Sequence, residues 1–181
     1  MTDTELIKGC IREEAHCQKS LFNRYASSLL GVSTRYARTR EDAEDILQDS
    51  FIKIFNKISQ FKAEGSLEGW MKKIVVNTAL KKYTLSRYSK ELSVEEVRDN
   101  NEHIFDDAPA FNSLTEKDLL LLINNLPQGY KIIFNLYAIE GYAHDEIATM
   151  LNIKAGTSRS QLVKARNLLQ KEIMQTRRVA V

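Results

Sequence analysis

Proline is nearly missing from this chain, with two in 181 residues, and glycine is scarce at seven. No sustained apolar–polar alternation occurs either, so a turn-rich β architecture is excluded and an all-α chain is expected. No run of about 18 apolar residues is present, which excludes a membrane-spanning helix. The opening "MTDTELIKGC" lacks a basic segment followed by an apolar one, so no export signal is expected and the expected compartment is the cytoplasm. Cys10 and Cys17 are the only cysteines, and a seven-residue separation is not metal-ligand spacing. They read as reduced thiols, and neither a metal nor a cofactor is expected. A glycine-rich phosphate loop is lacking, as is a nucleophile with a base beside it, so the chain is not expected to be an enzyme.

What is present is ordinary in bulk and uneven along the chain. Hydrophobic residues make up 43% and charged residues 28%, as in a globular protein. Residues 1–89 hold 15 Lys+Arg against 11 Asp+Glu, residues 90–118 hold 3 against 9, and residues 119–181 hold 8 against 4. Two basic blocks, each of net +4, therefore flank an acidic connector of net −6. No internal repeat relates the blocks.

In the first block, Leu21, Tyr25, Leu29, Val32 and Tyr36 recur at helical spacing. "TREDAEDILQDSFIKIFNKI" predicts a second helix, capped by Thr39, with acids in its first turn where the helix dipole favours them. Ala43, Leu47, Ser50, Ile54 and Ile58 share one face, and Asp45, Gln48, Asp49 and Ile52 lie opposite. The acids Asp42, Glu44, Asp45 and Asp49 read as solvated rather than as metal ligands. After "FKAEGS", Ser66 caps a third helix to about Tyr83. Trp70, Lys73, Asn77 and Lys81 share one of its faces, flanked by Lys72, Lys82 and Tyr83, while Leu67, Met71, Ile74 and Thr78 take the other. Aromatics interleaved with cations suit single-stranded nucleic acid, because bases stack on rings while phosphates meet lysines. A tryptophan packed partly into a core fits the same pattern, and both readings stand on spacing alone.

Residues 89–112 show no period, are rich in Asp, Glu and Asn, contain Pro109, and read as a flexible acidic linker. Ser113 or Thr115 then caps a helix through Leu119, Leu122, Ile123 and Leu126, stopped by Pro127. Tyr130, Ile133, Phe134 and Tyr137 mark another, ending at Gly141. "GYAHDEIATMLNIKAGTSRSQLVKARNLLQ" reads as a helix-turn-helix. Ile147, Ala148 and Leu151 face inward, Asn152 makes the turn, and Ser158, Leu162, Ala165 and Leu169 form the buried stripe of the second helix. Opposite that stripe lie Ser160, Lys164, Asn167 and Lys171, flanked by Arg159 and Val163. Short polar and cationic residues there suit the DNA major groove; a solvated face on a helical hairpin is the plainer alternative.

Taken in order, "DAEDILQDSFIKIF", "F…GSLEGWMKKIVVNTAL", the acidic linker and "LPQGYKIIFNLYAIEGYAHDEIATMLNIKAGTSRSQLVKAR" resemble the bacterial sigma factors of the extracytoplasmic-function (ECF) group, from about Glu5 to Gln170. The resemblance implies two helical domains and a division of labour. Residues 1–88 would be sigma region 2, residues 89–112 the linker, and residues 113–181 sigma region 4. It also implies binding to core RNA polymerase and promoter DNA, with an anti-sigma factor as a further partner. Asp45, Gln48 and Asp49 would meet the polymerase clamp helices. Asn77 would sit near a flipped-out minus-10 base, helped by Phe61, Trp70, Lys73 and Lys81, and Arg159, Ser160, Val163 and Lys164 would meet the minus-35 duplex. The linker would thread toward the basic RNA exit path. Ser158 stands where many members have Val, and Asn152 where many have Gly. Val163 and Gln161 lie among the cations of the second helix, so the target sequence does not transfer. The alternative is a stand-alone helix-turn-helix regulator with an N-terminal dimerisation or sensing domain.

Overall fold

In the computed structural model, residues 1–82 and 115–179 are described, and every regular element among them is helical. Two compact units divide the chain, Met1–Thr84 and Leu85–Val181. The expected linker, residues 89–112, lies outside the described residues, as do Tyr83 and Ser113.

The first unit contains α1 (Asp3–Ile11), α2 (Ala15–Tyr36), α3 (Arg40–Lys57), a 3-10 turn (Ile58–Gln60) and α4 (Leu67–Lys82). Helices α2, α3 and α4 pack on one another, and α1 lies against α2 and the 3-10 turn. The predicted stripe of α2 goes into this core: Leu21, Leu29, Val32 and Tyr36 are buried. On α3 the face of Ala43, Leu47, Ser50 and Ile54 is buried. The Thr39 hydroxyl accepts from the Asp42 N–H at 3.2 Å, a cap whose removal costs about 1 kcal/mol. Ser66 caps α4 by accepting from the Gly69 N–H at 3.0 Å. Buried Leu67, Met71 and Thr78 follow the expected α4 face, and Val75, Val76 and Ala79 widen it. A wider apolar band lets α4 touch α2 and α3 together.

The turn between α1 and α2 is tight. Glu13 adopts a left-handed conformation (φ 59°), which reverses the chain within a few residues. Gly9 then faces Cys17 so closely that an added Cβ would fall 2.7 Å from the Cys17 Cβ. Only glycine lets the two helices approach this far.

The second unit contains α5 (Glu116–Asn124), α6 (Gln128–Phe134), a π turn (Asn135–Ile139), α7 (His144–Leu151) and α8 (Ala155–Val179). Helix α8 is its spine and packs against α5, α6 and α7. Thr115 caps α5 through a reciprocal box with Asp118. Pro127, expected to stop that helix, also caps α6. The single helix expected up to Gly141 is instead α6 followed by the π turn. Gly141 still closes it, at φ 79°. Ile123, Leu126, Tyr130, Ala165 and Leu169 share one core.

Candidate nucleic-acid interface

Helix α4 owes its outward face to its inward one. With Met71, Val75 and Ala79 buried, the helical period turns Lys73, Asn77 and Lys81 to solvent. Trp70, one turn in, is half-buried and packs on Phe61, which arrives from the segment after the 3-10 turn; the ring centroids are 5.6 Å apart, tilted by 54°. The structure thus brings together two aromatic rings, from the segment before α4 and from its first turn, at the head of a line of amide and ammonium groups. The flanking lysines behave differently. Lys72 pairs with Glu68 at 2.9 Å, and the Glu68 carboxyl lies below the usual range because the Ser28 hydroxyl and then Lys72 bond to it. Lys82, expected beside the α4 face, turns toward α3 and bridges Asp45 at 3.1 Å and Asp42 at 3.7 Å. Partial burial works against its charge, but the Asp45 bond and the nearby acids raise its pKa.

On α3, Asp45, Gln48 and Asp49 are exposed, with Ile52 beside them at 60% exposure. The Asp45 side chain is already engaged by Lys82. An exposed pair of this kind is worth about 0 to 1 kcal/mol, so a partner can displace it. Behind the patch, Phe51 stacks obliquely on Phe22 and Phe55, at 4.6 and 5.8 Å. Phe22 is itself 40% exposed.

In the second unit, α7, a turn at Asn152 and α8 form a helix-turn-helix. Asn152 sits in the left-handed region (φ 52°, ψ 47°), and its N–H bonds the Ala148 carbonyl. Ser158, Leu162, Ala165 and Leu169 are buried as their period requires, while Arg159, Ser160 and half-exposed Val163 point outward. Lys164 is intermediate in burial. Gln161, read among the cations of this helix, is instead buried with only 4% exposure, because the apolar stripe is wider than a single row.

A side-chain network here was not legible in the sequence. The imidazole of His144 stacks on Tyr137 at 4.4 Å, and its Nδ1 bonds the fully buried Ser158 hydroxyl at 2.9 Å. The Arg166 guanidinium lies 5.8 Å over the same Tyr137 ring, a cation–π contact. Burial lowers the His144 pKa, and the charges of Arg159 and Arg166 add to that, opposed by Asp145. Ser158 therefore ties the base of α7 to the start of α8 by a polar bond. Only a pairing of residues 14 apart creates the bond, and no local pattern announces it.

A helical bundle with an aromatic and cationic face, joined in one chain to a helix-turn-helix, defines a two-unit DNA-reading transcription protein. Comparison makes the class specific. The family model for sigma-70 region 2 matches residues 21–87, and that for sigma-70 region 4 matches residues 116–169. The chain is 30% identical over 183 residues to the ECF RNA polymerase sigma-E factor of Haemophilus influenzae, covering 96% of each chain. It is 23% identical to the RNA polymerase sigma-H factor of Pseudomonas aeruginosa, covering 94% of this chain and 93% of that one. Its fold is similar to that of the sigma factor RpoE of Bartonella quintana, solved in complex with the anti-sigma factor NepR, with a TM-score of 0.52 at 20% identity over 86% of this chain and 96% of that one. The chain belongs to the extracytoplasmic-function sigma factors of RNA polymerase. It is a non-enzymatic, promoter-directing initiation factor, and its partners are core polymerase and promoter DNA. The stand-alone regulator is not favoured. No helix among the described residues is long and apolar enough to cross a membrane.

Proposed function

We propose that three exposed groups divide the work of initiation. Residues 1–88 act as the unit that binds core polymerase and reads the minus-10 element, residues 89–112 as a tether, and residues 113–181 as the minus-35 reader. Asp45, Gln48 and Asp49 meet the clamp helices, with Ile52 as an apolar neighbour. On α4, Asn77 bonds the edge of an unstacked minus-10 base. Trp70 and Phe61 supply the stacking wall, and Lys73 and Lys81 meet the phosphates. A helical surface cannot read a base inside the stack, so capturing one that has left it is the physical route to specificity. On α8, Arg159, Ser160, Val163 and Lys164 enter the major groove at minus-35. The work is cytoplasmic, and an anti-sigma protein holds the factor in reserve, as NepR is found with the similar Bartonella protein.

The observation that carries the reading is the α4 face, where the Phe61 and Trp70 rings pack on each other and Asn77 is exposed about two helical turns further along. The test is run-off transcription from fragmented host DNA with purified core polymerase, with and without this chain. New starts sharing two spaced elements support the reading. If starts do not depend on the protein, while a second sigma factor activates the same core, it fails.

A further inference from the structure

The first turn of α2 gathers three metal-ligating atoms that cysteine spacing alone did not suggest. Glu14 stands at the residue before the helix, without a capping bond from its side chain, and His16 and Cys17 follow in the first turn. The Cys17 Sγ lies 3.3 Å from Glu14 Oε2 and 3.2 Å from His16 Nε2, and those two atoms are 3.8 Å apart. We propose that Glu14, His16 and Cys17 form a binding site for a borderline divalent cation of the Zn2+ class, with solvent as the fourth ligand.

Geometry and charge both favour this. Tetrahedral zinc, with bonds of about 2.3 Å to sulfur and about 2.0 to 2.1 Å to nitrogen or oxygen, needs ligand separations of about 3.3 to 3.6 Å. Every edge of the observed triangle falls within about half an ångström of that range. One sulfur, one imidazole and one carboxylate suit zinc or cobalt rather than magnesium or calcium. A thiolate and a carboxylate neutralise a divalent ion, which has to displace the thiol proton against burial and the Glu14 carboxylate, both of which hold the Cys17 pKa above its ordinary value. On binding, the metal takes the place of the proton that the thiol directs at Glu14, and that proton leaves to solvent.

The surroundings hold the triangle in shape. Glu14 uses its other oxygen, Oε1, to accept from Arg12 Nε at 2.7 Å, so Oε2 stays aimed at the sulfur; such outer partners orient metal ligands. Cys17 is fixed under Gly9 and is only 3% exposed. His16 has 69% side-chain exposure, which leaves an open path for the ion. Bound metal would pin the α1–α2 turn, and α1 in turn packs on the 3-10 turn that leads to Phe61.

Titration of the untagged 181-residue chain with Co2+ tests the site. The expected result is one Co2+ per chain, with a thiolate-to-cobalt charge-transfer band, visible bands of a four-coordinate ion, and displacement by Zn2+. Cys17→Ser should abolish the charge-transfer band, and His16→Ala should weaken binding by more than about tenfold. Cys10→Ser should leave both intact. Because His16 is exposed, its variant should keep the wild-type metal-free melting curve, which separates loss of ligand from loss of fold. No charge-transfer band in the wild type, a band that follows Cys10, or unchanged affinity in His16→Ala would each overturn the proposal.

Discussion

Breaking the bond between Ser158 and His144 should loosen the helix-turn-helix by an amount that a double-mutant cycle can isolate. The bond is 2.9 Å long and links α7 to the start of α8. Ser158 is fully buried, whereas His144 is half-exposed. A neutral hydrogen bond contributes about 1 kcal/mol net, and a buried group left without a partner costs about 1 to 3 kcal/mol. His144→Phe keeps an aromatic ring for Tyr137 but orphans the Ser158 hydroxyl, so it should cost toward the upper end of that range. Ser158→Ala leaves only the accessible imidazole unpaired, which water can satisfy, so it should cost about 1 kcal/mol or less. In the double variant the orphaned hydroxyl is gone, and the coupling should come to about 1 kcal/mol. Amide hydrogen exchange of α8 in the full chain reads the second unit. Fluorescence of Trp70, the sole tryptophan, reads the first unit and should not move. Single-variant effects that simply add, within about 0.3 kcal/mol, would refute the coupling.

The burial of His144 and its arginine neighbours give the second unit a pH dependence of defined sign. The folded His144 pKa lies below its ordinary 6.5 because burial and the arginines disfavour the cation. The unfolded chain therefore takes up its proton first as pH falls. The contribution to stability is complete above 6.5 and is lost as pH drops through 6.5 toward the lower folded value. In His144→Phe that slope should vanish from the α8 exchange rates; an unchanged slope would assign it to another group.

Other substitutions separate the proposed surfaces. Asn77→Ala should lower open-complex yield or change minus-10 preference, measured by permanganate footprinting, with binding to core polymerase unaltered; wild-type promoter choice would remove Asn77 from base reading. Asp49→Arg combined with Gln48→Ala should weaken association with core polymerase by at least about tenfold, or about 1.4 kcal/mol, in a competition assay. Equal affinity would place the interface elsewhere. Lys164→Ala should cost about 1 to 3 kcal/mol at one minus-35 position if the side chain reads a base. A uniform loss across sequences, with a shallower salt dependence, would make it a phosphate contact instead.

Amphipathic period made much of the architecture legible before any coordinates. The stripes of α2, α3 and α8 were legible, Tyr25 of α2 being only partly buried, because a helix that buries one face must repeat its apolar side chains every three to four positions. Thr39, Ser66 and Asn152 were legible for an equally local reason: each satisfies backbone groups or a backbone conformation within three residues of itself. The outward positions of Asp45, Asn77 and Arg159 follow from the same stripes by exclusion. The order of motifs was enough to indicate the family.

Tertiary structure decided what depends on residues distant along the chain or on the width of a buried face. Lys82 looked like a neighbour of the α4 face until Asp42 and Asp45 of α3 drew it away. Gln161 was lost from the exposed surface because α8 buries more than one row against its neighbours. Phe61 met Trp70 only after the chain turned back through residues 62–66 into α4, and Ser158 gained its purpose only when α7 delivered His144 to it. Glu14, His16 and Cys17 are adjacent in sequence, yet whether their ligating atoms converge depended on the close approach of α1 at Gly9 and on the rotamers it permits. A repeating pattern fixes which way a side chain points, but its partner is fixed only by where the rest of the chain comes to lie.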